Sequence, residues 1–197
     1  MTNKSKIEIE KLITKVIRCD AFAQREMYDL LVLKMYNTVY RILKNKEDTQ
    51  DCLQVSFGLL FRKIEQYDAK KGAFISWGTR VFINESLQML RKKRFRFEEI
   101  NDSLLIPIHS KSPLENLEAK NILEIIKKLP DQMRLIFNLY EIEGYSHKEV
   151  SEILNIGESS SRTYLMRAKV KLRMLIESSI SIENQKIEAL SNKRSER

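Results

Sequence analysis

Turn-forming residues are scarce in this chain, with five glycines and three prolines among 197 residues. Sandwiches, barrels and glycine-rich nucleotide folds need many tight turns, so this shortage argues against all three. Cysteine is rarer still. Cys19 and Cys52 stand apart with no CxxC spacing, and His109 and His147 are the only histidines beside them. That inventory argues against a disulfide framework and leaves no soft or imidazole ligand set for a metal. No apolar run is long enough for a signal peptide or a bilayer crossing, and the opening "MTNKSKIEIEKLITKV" is polar, so a cytoplasmic location is expected. Paired carboxylates, a nucleophile–base set and a phosphate loop are missing too. An enzyme is therefore the weakest class.

What is present points elsewhere. Hydrophobic residues make up 43% of the chain, enough to bury a core. The formal charge of +8 favours a polyanionic partner, nucleic acid first among them. The expected fold class is all-α: two small helical domains joined by a flexible linker. Residues 1–19 read as a helical leader and 20–93 as a first domain dense in apolar and aromatic side chains. Residues 94–112 lose the helical rhythm and collect Pro107, His109 and Ser110, as a linker does; 113–177 form a second domain, and 178–197 a polar tail, frayed or at best weakly helical. Helix-start chemistry reappears at Ser112 (cap), Pro113 (first position) and Glu115 (capping box).

The second domain carries a helix-turn-helix pattern. After Leu129-Pro130 a helix presents Met133, Ile136, Phe137 and Tyr140 on one face until Gly144 breaks it. Ser146 then caps a short helix with Glu149 as its capping-box partner and Val150, Ile153 and Leu154 as anchors. "NIG" makes the turn into a basic helix. Spaced at about 100° per residue, Leu165, Ala168, Leu172, Leu175 and Ile176 share one stripe, whereas Ser159, Thr163, Met166, Arg167 and Val170 lie opposite, flanked by Arg162 and Arg173. Serines at the start of such a helix let a backbone approach closely, and the helix N-terminus favours phosphate. Arg162 and Arg167 suit base edges or phosphates; Lys169, Lys171 and Arg173 suit the duplex backbone.

In the first domain, "KEDTQDCLQVSFGLLFRKIEQYD" predicts a helix capped by Asp48, with Leu53, Phe57, Leu60 and Ile64 as its core stripe. Its reverse face holds Asp51, Gln54, Val55, Gly58, Arg62 and Glu65. A valine and a glycine among charges lower helix stability for no gain in water, which fits either a protein partner or a covering helix of the same domain. The helix "GAFISWGTRVFINESLQMLRKKR" is apolar nearly all round, with one polar arc of Arg80, Asn84, Gln88 and Arg91 and Trp77 alongside. Rings, amides and arginines interleaved in this way suit an unstacked single strand, although position alone allows Trp77 to be a core residue.

These residues together resemble the extracytoplasmic-function (group IV) sigma factors of the sigma-seventy family, over roughly Asp20 to Leu175. The D-x-x-Q-x-x-F core of the family's region two stands here as Asp51, Gln54 and Phe57, and its W…N…R pattern as Trp77, Asn84 and Arg91. "LPDQMRLIFNLYEIEGYSHKEVSEILNIGESSSRTYLMRAKVKLR" is similar to region four. The resemblance implies that Asp51, Gln54, Val55, Gly58 and Arg62 dock on the core RNA polymerase. It implies that Tyr67, Asp68, Lys71 and Phe74 of the following loop, with Trp77, Arg80, Asn84, Gln88 and Arg91, capture the melted minus-ten strand. Ser159, Ser160, Arg162, Thr163, Met166, Arg167, Lys169 and Arg173 are then expected to read the minus-thirty-five duplex. It further implies an anti-sigma partner, and neither metal nor cofactor. Three departures stand out: Ser159-Ser160-Ser161 where the family usually has Gly-Thr-Val, Tyr164 for a frequent basic residue, and Gln88 for a common aspartate. Ser161 falls on the buried stripe and forfeits apolar area there, on the order of 1 kcal/mol. A transcriptional regulator acting without polymerase, and a polymerase-binding adaptor, are the competing classes.

Overall fold

The structure, a computed structural model, describes the backbone of residues 3–100 and 124–195 and the side chains of 8–93 and 124–178. Among the described residues every regular element is helical. The chain divides into two compact units, Met1–Ser112 and Pro113–Arg197.

Among the described residues the first unit has four α-helices. Helix α1 (Asn3–Ile17) buries Leu12, Ile13 and Val16 and stops at Cys19, whose φ of 59° reverses the chain. Asp20 then caps α2 (Ala21–Leu43) by accepting from the Phe22 and Ala23 amides, at 2.9 and 3.1 Å. Lys44, left-handed at φ 61°, ends α2. The cap of α3 (Lys46–Lys63) corrects the sequence expectation. Asn45, not Asp48, is the capping residue, its side chain accepting from the Asp48 amide at 2.9 Å. Asp48 sits three residues inside the helix and receives Lys93 Nζ from α4 (Phe74–Ile100) on its carboxylate instead.

Helices α2, α3 and α4 pack mutually. Met27, Met35, Val39, Leu60, Phe82 and Ile83 are all fully buried, each worth about 1.5–3 kcal/mol. Phe57 is the aromatic hub, 4.6 Å from Tyr28 and 4.9 Å edge-on from Phe82. Beside these larger side chains, α3 and α4 also bury four small residues, Cys52, Ser56, Gly78 and Ser86. A Cβ on Gly78 would meet Leu60 at 3.4 Å, so the two helices approach closely there. Ser86 satisfies its hydroxyl on the Phe82 carbonyl at 2.7 Å, which makes a polar residue tolerable at that depth.

In the second unit the described residues begin in helix at 124–127, followed by α5 (Asp131–Phe137), which widens into a π turn at Asn138–Ile142. Gly144 (φ 77°) redirects the chain, and Ser146 with Glu149 forms the expected capping box of α6 (His147–Leu154). Asn155 is left-handed at φ 54°, and α7 (Glu158–Ser195) follows. Ile126, Leu129, Ala168 and Leu172 form the core, with Met133 and Phe137 packed against it.

Three expectations need correction. Helix α4 continues to Ile100, so the first residues of the expected linker are helical. Helix α7 runs to Ser195, so the tail expected to fray is helical as well. Ile176, expected on the buried stripe, is 40% exposed because that end of α7 extends beyond the core cluster. The start chemistry read at Ser112, Pro113 and Glu115, and Pro107, His109 and Ser110, lie outside the described residues.

Candidate partner and nucleic-acid interfaces

Three surfaces carry the predicted residues, two on the first unit and one on the second. The outer face of α3 is the first. Asp51, Gln54 and Arg62 are exposed, and Val55 is 48% exposed. The opposite stripe of Cys52, Leu53, Ser56, Phe57 and Leu60 is buried. Among the described residues no helix of its own unit covers the outer face, which counts against the covering-helix alternative. At Gly58 nothing lies within 4 Å of where a Cβ would sit, so no internal contact requires glycine there. The face offers a carboxylate near the helix start, an amide one turn on, and a bare strip of backbone beyond.

A ring cluster where α3 meets α4 is the second surface. Tyr67 closes the 3-10 turn Ile64–Gln66, and its ring lies 5.3 Å edge-on from Phe74 and 5.7 Å from Trp77. Phe74 and Trp77 are themselves 5.7 Å apart. The Tyr67 hydroxyl donates to the Gly72 carbonyl at 2.9 Å and pins the loop; Gly72, at φ 148°, is where that loop needs glycine. Burial first, then the charges of Glu10 and Asp68, raise the Tyr67 pKa and keep that donor protonated. Asp68 Oδ1 accepts from the Lys70 amide at 2.9 Å, and Lys71 stands 4.0 Å from the Asp68 carboxylate. Phase along α4 then aligns Trp77, Arg80, Asn84, Gln88 and Arg91 on one face: Trp77 and Arg80 are half-buried, the other three exposed. Trp77 is therefore neither a core residue nor a free one, but a shelf held at the surface by two rings. Phe74 departs from expectation. It is only 3% exposed, so it supports Tyr67 and Trp77 from beneath and does not itself face a strand.

The third surface is the start of α7. Ser159, Arg162, Thr163, Arg167, Lys169 and Arg173 are exposed, Met166 is 62% exposed, and Ser160 is half-buried. Thr163 Oγ1 donates back to the Ser159 carbonyl at 3.0 Å, leaving its methyl outward. Two of the basic groups are engaged within the unit: Arg162 donates to Glu158, and Lys169 lies 2.7 Å from Glu141 of the π turn. Such exposed pairs are worth about 0–1 kcal/mol, so a phosphate can displace either carboxylate at little cost. The sequence reading missed Glu141 because the π turn, which has no signature in the apolar pattern, decides where it points. It also missed Arg134, 1% exposed inside the unit and 3.0 Å from Asp131. Ser161 is fully buried as its phase predicts, yet its hydroxyl lies 2.9 Å from His147 Nδ1, so the polar loss is compensated.

Two family models match this chain, one over the helical bundle of the first unit and one over the helix-turn-helix of the second. "Sigma-70 region 2" matches residues 27–96 and "Sigma-70, region 4" matches residues 119–172, together more than half of the chain. The chain belongs to the sigma-70 family. It is similar to the ECF RNA polymerase sigma factor SigM of Bacillus subtilis, at 28% identity over 80% of this chain and 98% of that protein. SigW of the same organism is 28% identical over 84% of this chain and 95% of its own. Among solved structures, the sigma factor RpoE in complex with the anti-sigma factor NepR from Bartonella quintana shares the fold at a TM-score of 0.61, with 16% identity and coverage of 78% and 96%. CnrH, solved in complex with the cytosolic domain of CnrY, does so at 0.53, with 18% identity over 85% of this chain and 96% of that one. Among the described residues no helix is long and apolar enough to cross a membrane.

Proposed function

We propose that this chain is an extracytoplasmic-function sigma factor that joins bacterial core RNA polymerase, directs it to specific promoters and helps open the DNA. The observation that supports this best is the pairing in one chain of a region-two bundle, with its surface Trp77 shelf, and a region-four helix-turn-helix. Residues 20–93 serve as region two and 113–177 as region four. On this reading Asp51, Gln54, Val55, Gly58 and Arg62 dock on the polymerase, and the bare backbone at Gly58 lets a partner helix approach.

The loop from Tyr67 and the α4 arc receive the unpaired minus-ten strand. Flipping a base out of the stack costs a few kcal/mol, and stacking on Trp77 offsets about 1–3 kcal/mol of that. The start of α7 reads the minus-thirty-five duplex through the exposed residues from Ser159 to Arg173. The protein makes and breaks no bonds; it supplies positioning and strand capture. It works in the cytoplasm, and a second chain of anti-sigma type is its regulator; the sigma factor RpoE, a structural relative, is solved in complex with an anti-sigma factor.

Run-off transcription with purified core polymerase tests the proposal. Addition of this chain should confer defined start sites, with permanganate-reactive thymines just upstream of them. Core binding without start-site selection would make the chain an adaptor, and sequence-specific duplex binding without core would make it a conventional regulator.

A further inference from the structure

The three elements of the helix-turn-helix meet at one imidazole. His147 is the first residue of α6, directly after Ser146, whose position the capping box fixes. Its ring stacks on Tyr140 of the π turn, centroids 4.2 Å apart and planes 26° from parallel. Its Nδ1 lies 2.9 Å from the hydroxyl of Ser161 on α7, a side chain with no exposed area. Apolar packing is non-directional and tolerates a helix rolling or sliding against its neighbour. A hydrogen bond is directional, and a buried hydroxyl strongly resists losing its partner. Arg162 follows Ser161 and Ser160 precedes it, so the roll of α7 at Ser161 sets where the leading edge of the recognition helix points. Burial first, then the charge of Arg162, holds the imidazole below its ordinary pKa; Glu158 and Glu141 oppose this and Lys169 adds to it. An uncharged ring donates or accepts at Nδ1 according to its tautomer, and the serine hydroxyl can take either role.

We infer that His147 and Ser161 are a matched positioning pair that fixes the roll of the recognition helix and thereby the upstream sequence it selects, though neither touches DNA. This rests on the assignment of the start of α7 to duplex reading. Base readout needs its side chains held within about 0.5 Å, a tolerance that a directional bond between helices can meet.

The experiment uses the full chain assembled with core polymerase and a random-sequence duplex pool, comparing the parent with Ser161→Ala, Ser161→Thr and His147→Phe. Alanine favours the helix and adds no bulk, so Ser161→Ala should fold and melt within a few degrees of the parent. Its preference for the parent's upstream motif over single-base variants should nonetheless fall about tenfold, the scale of one misplaced base contact. Ser161→Thr keeps the hydroxyl and should keep the motif, whereas His147→Phe keeps the stack and should broaden it. An unchanged motif in Ser161→Ala, with an unchanged ratio, would reduce the pair to ordinary packing and overturn the inference. If the parent itself enriches no upstream motif, the duplex-reading assignment fails first and takes the inference with it; that result is distinct because parent and variants would behave alike.

Discussion

The two units present surfaces of opposite construction. On the first, the outer face of α3 and the Trp77 shelf are shaped by packing: small buried residues bring α3 and α4 together, and two rings hold a third at the surface. On the second, the basic face of α7 is organised by charge and hydrogen bonding, with Arg162 held by Glu158, Lys169 by Glu141 and Ser161 by His147. A surface placed by packing responds to a change of volume more than to salt or pH. A surface organised by charge pairs is adjustable, and it should respond to ionic strength and protonation.

The largest expected effect breaks the first side of that comparison alone. Asp51→Ala with Gln54→Ala should lower core-polymerase affinity on the order of a hundredfold, as loss of an interface hot spot does, with an unchanged circular-dichroism spectrum. Unchanged affinity in a polymerase pull-down would remove α3 as the docking face. Next, Trp77→Ala should weaken strand capture by about 1–3 kcal/mol. Permanganate footprints should fade while polymerase and duplex binding persist; loss of duplex binding as well would mean that the shelf does not act separately from the helix-turn-helix.

Gly58→Ala sharpens the contrast by splitting two signs. With open space at its Cβ, alanine should stabilise α3 by about 1 kcal/mol against denaturant. The same methyl should weaken polymerase binding if a partner packs on that backbone, and equal affinity would show that none does. On the second unit, Lys169→Ala should lower duplex affinity evenly across sequences and reduce the slope of log affinity against log salt by about one. Glu141→Gln should do the reverse, mildly, by releasing Lys169.

The smallest effect is protonic. The folded-state pKa of His147 is depressed, so its contribution to stability is present above its unfolded value of about 6.5 and lost as pH falls through the lower folded value. Thermal melts of the parent between neutral and mildly acidic pH should lose ground that His147→Gln does not; parallel pH profiles would place the titrating group elsewhere.

Much of this was readable in the residues. The capping box at Ser146 and Glu149, the buried α3 stripe and the phase of α7 all follow from local rules that few neighbours can override. Errors fell where a local rule had a close rival. Asp48 and Asn45 are both good caps, and Asn45 serves because the left-handed Lys44 before it starts the helix there. The resemblance implies that Phe74 helps capture the strand, yet the turn packs Tyr67 against it and it is buried. Polar composition at 94–100 and 178–195 hides a helical backbone, because helices α4 and α7 continue there without an apolar stripe to mark them.

The residues by themselves determined the all-helical architecture, the capping box at Ser146 and Glu149, and which side of α3 and α7 faces inward, because helix periodicity and capping act over a single turn. Only tertiary structure decided that Trp77 is a shelf instead of a core residue, that Glu141 reaches Lys169 through a π turn, and that the odd serine on the buried stripe of α7 finds His147. Each of those depends on two helices meeting at a particular distance and angle, and no pattern along one chain segment encodes where its neighbour's side chain will arrive.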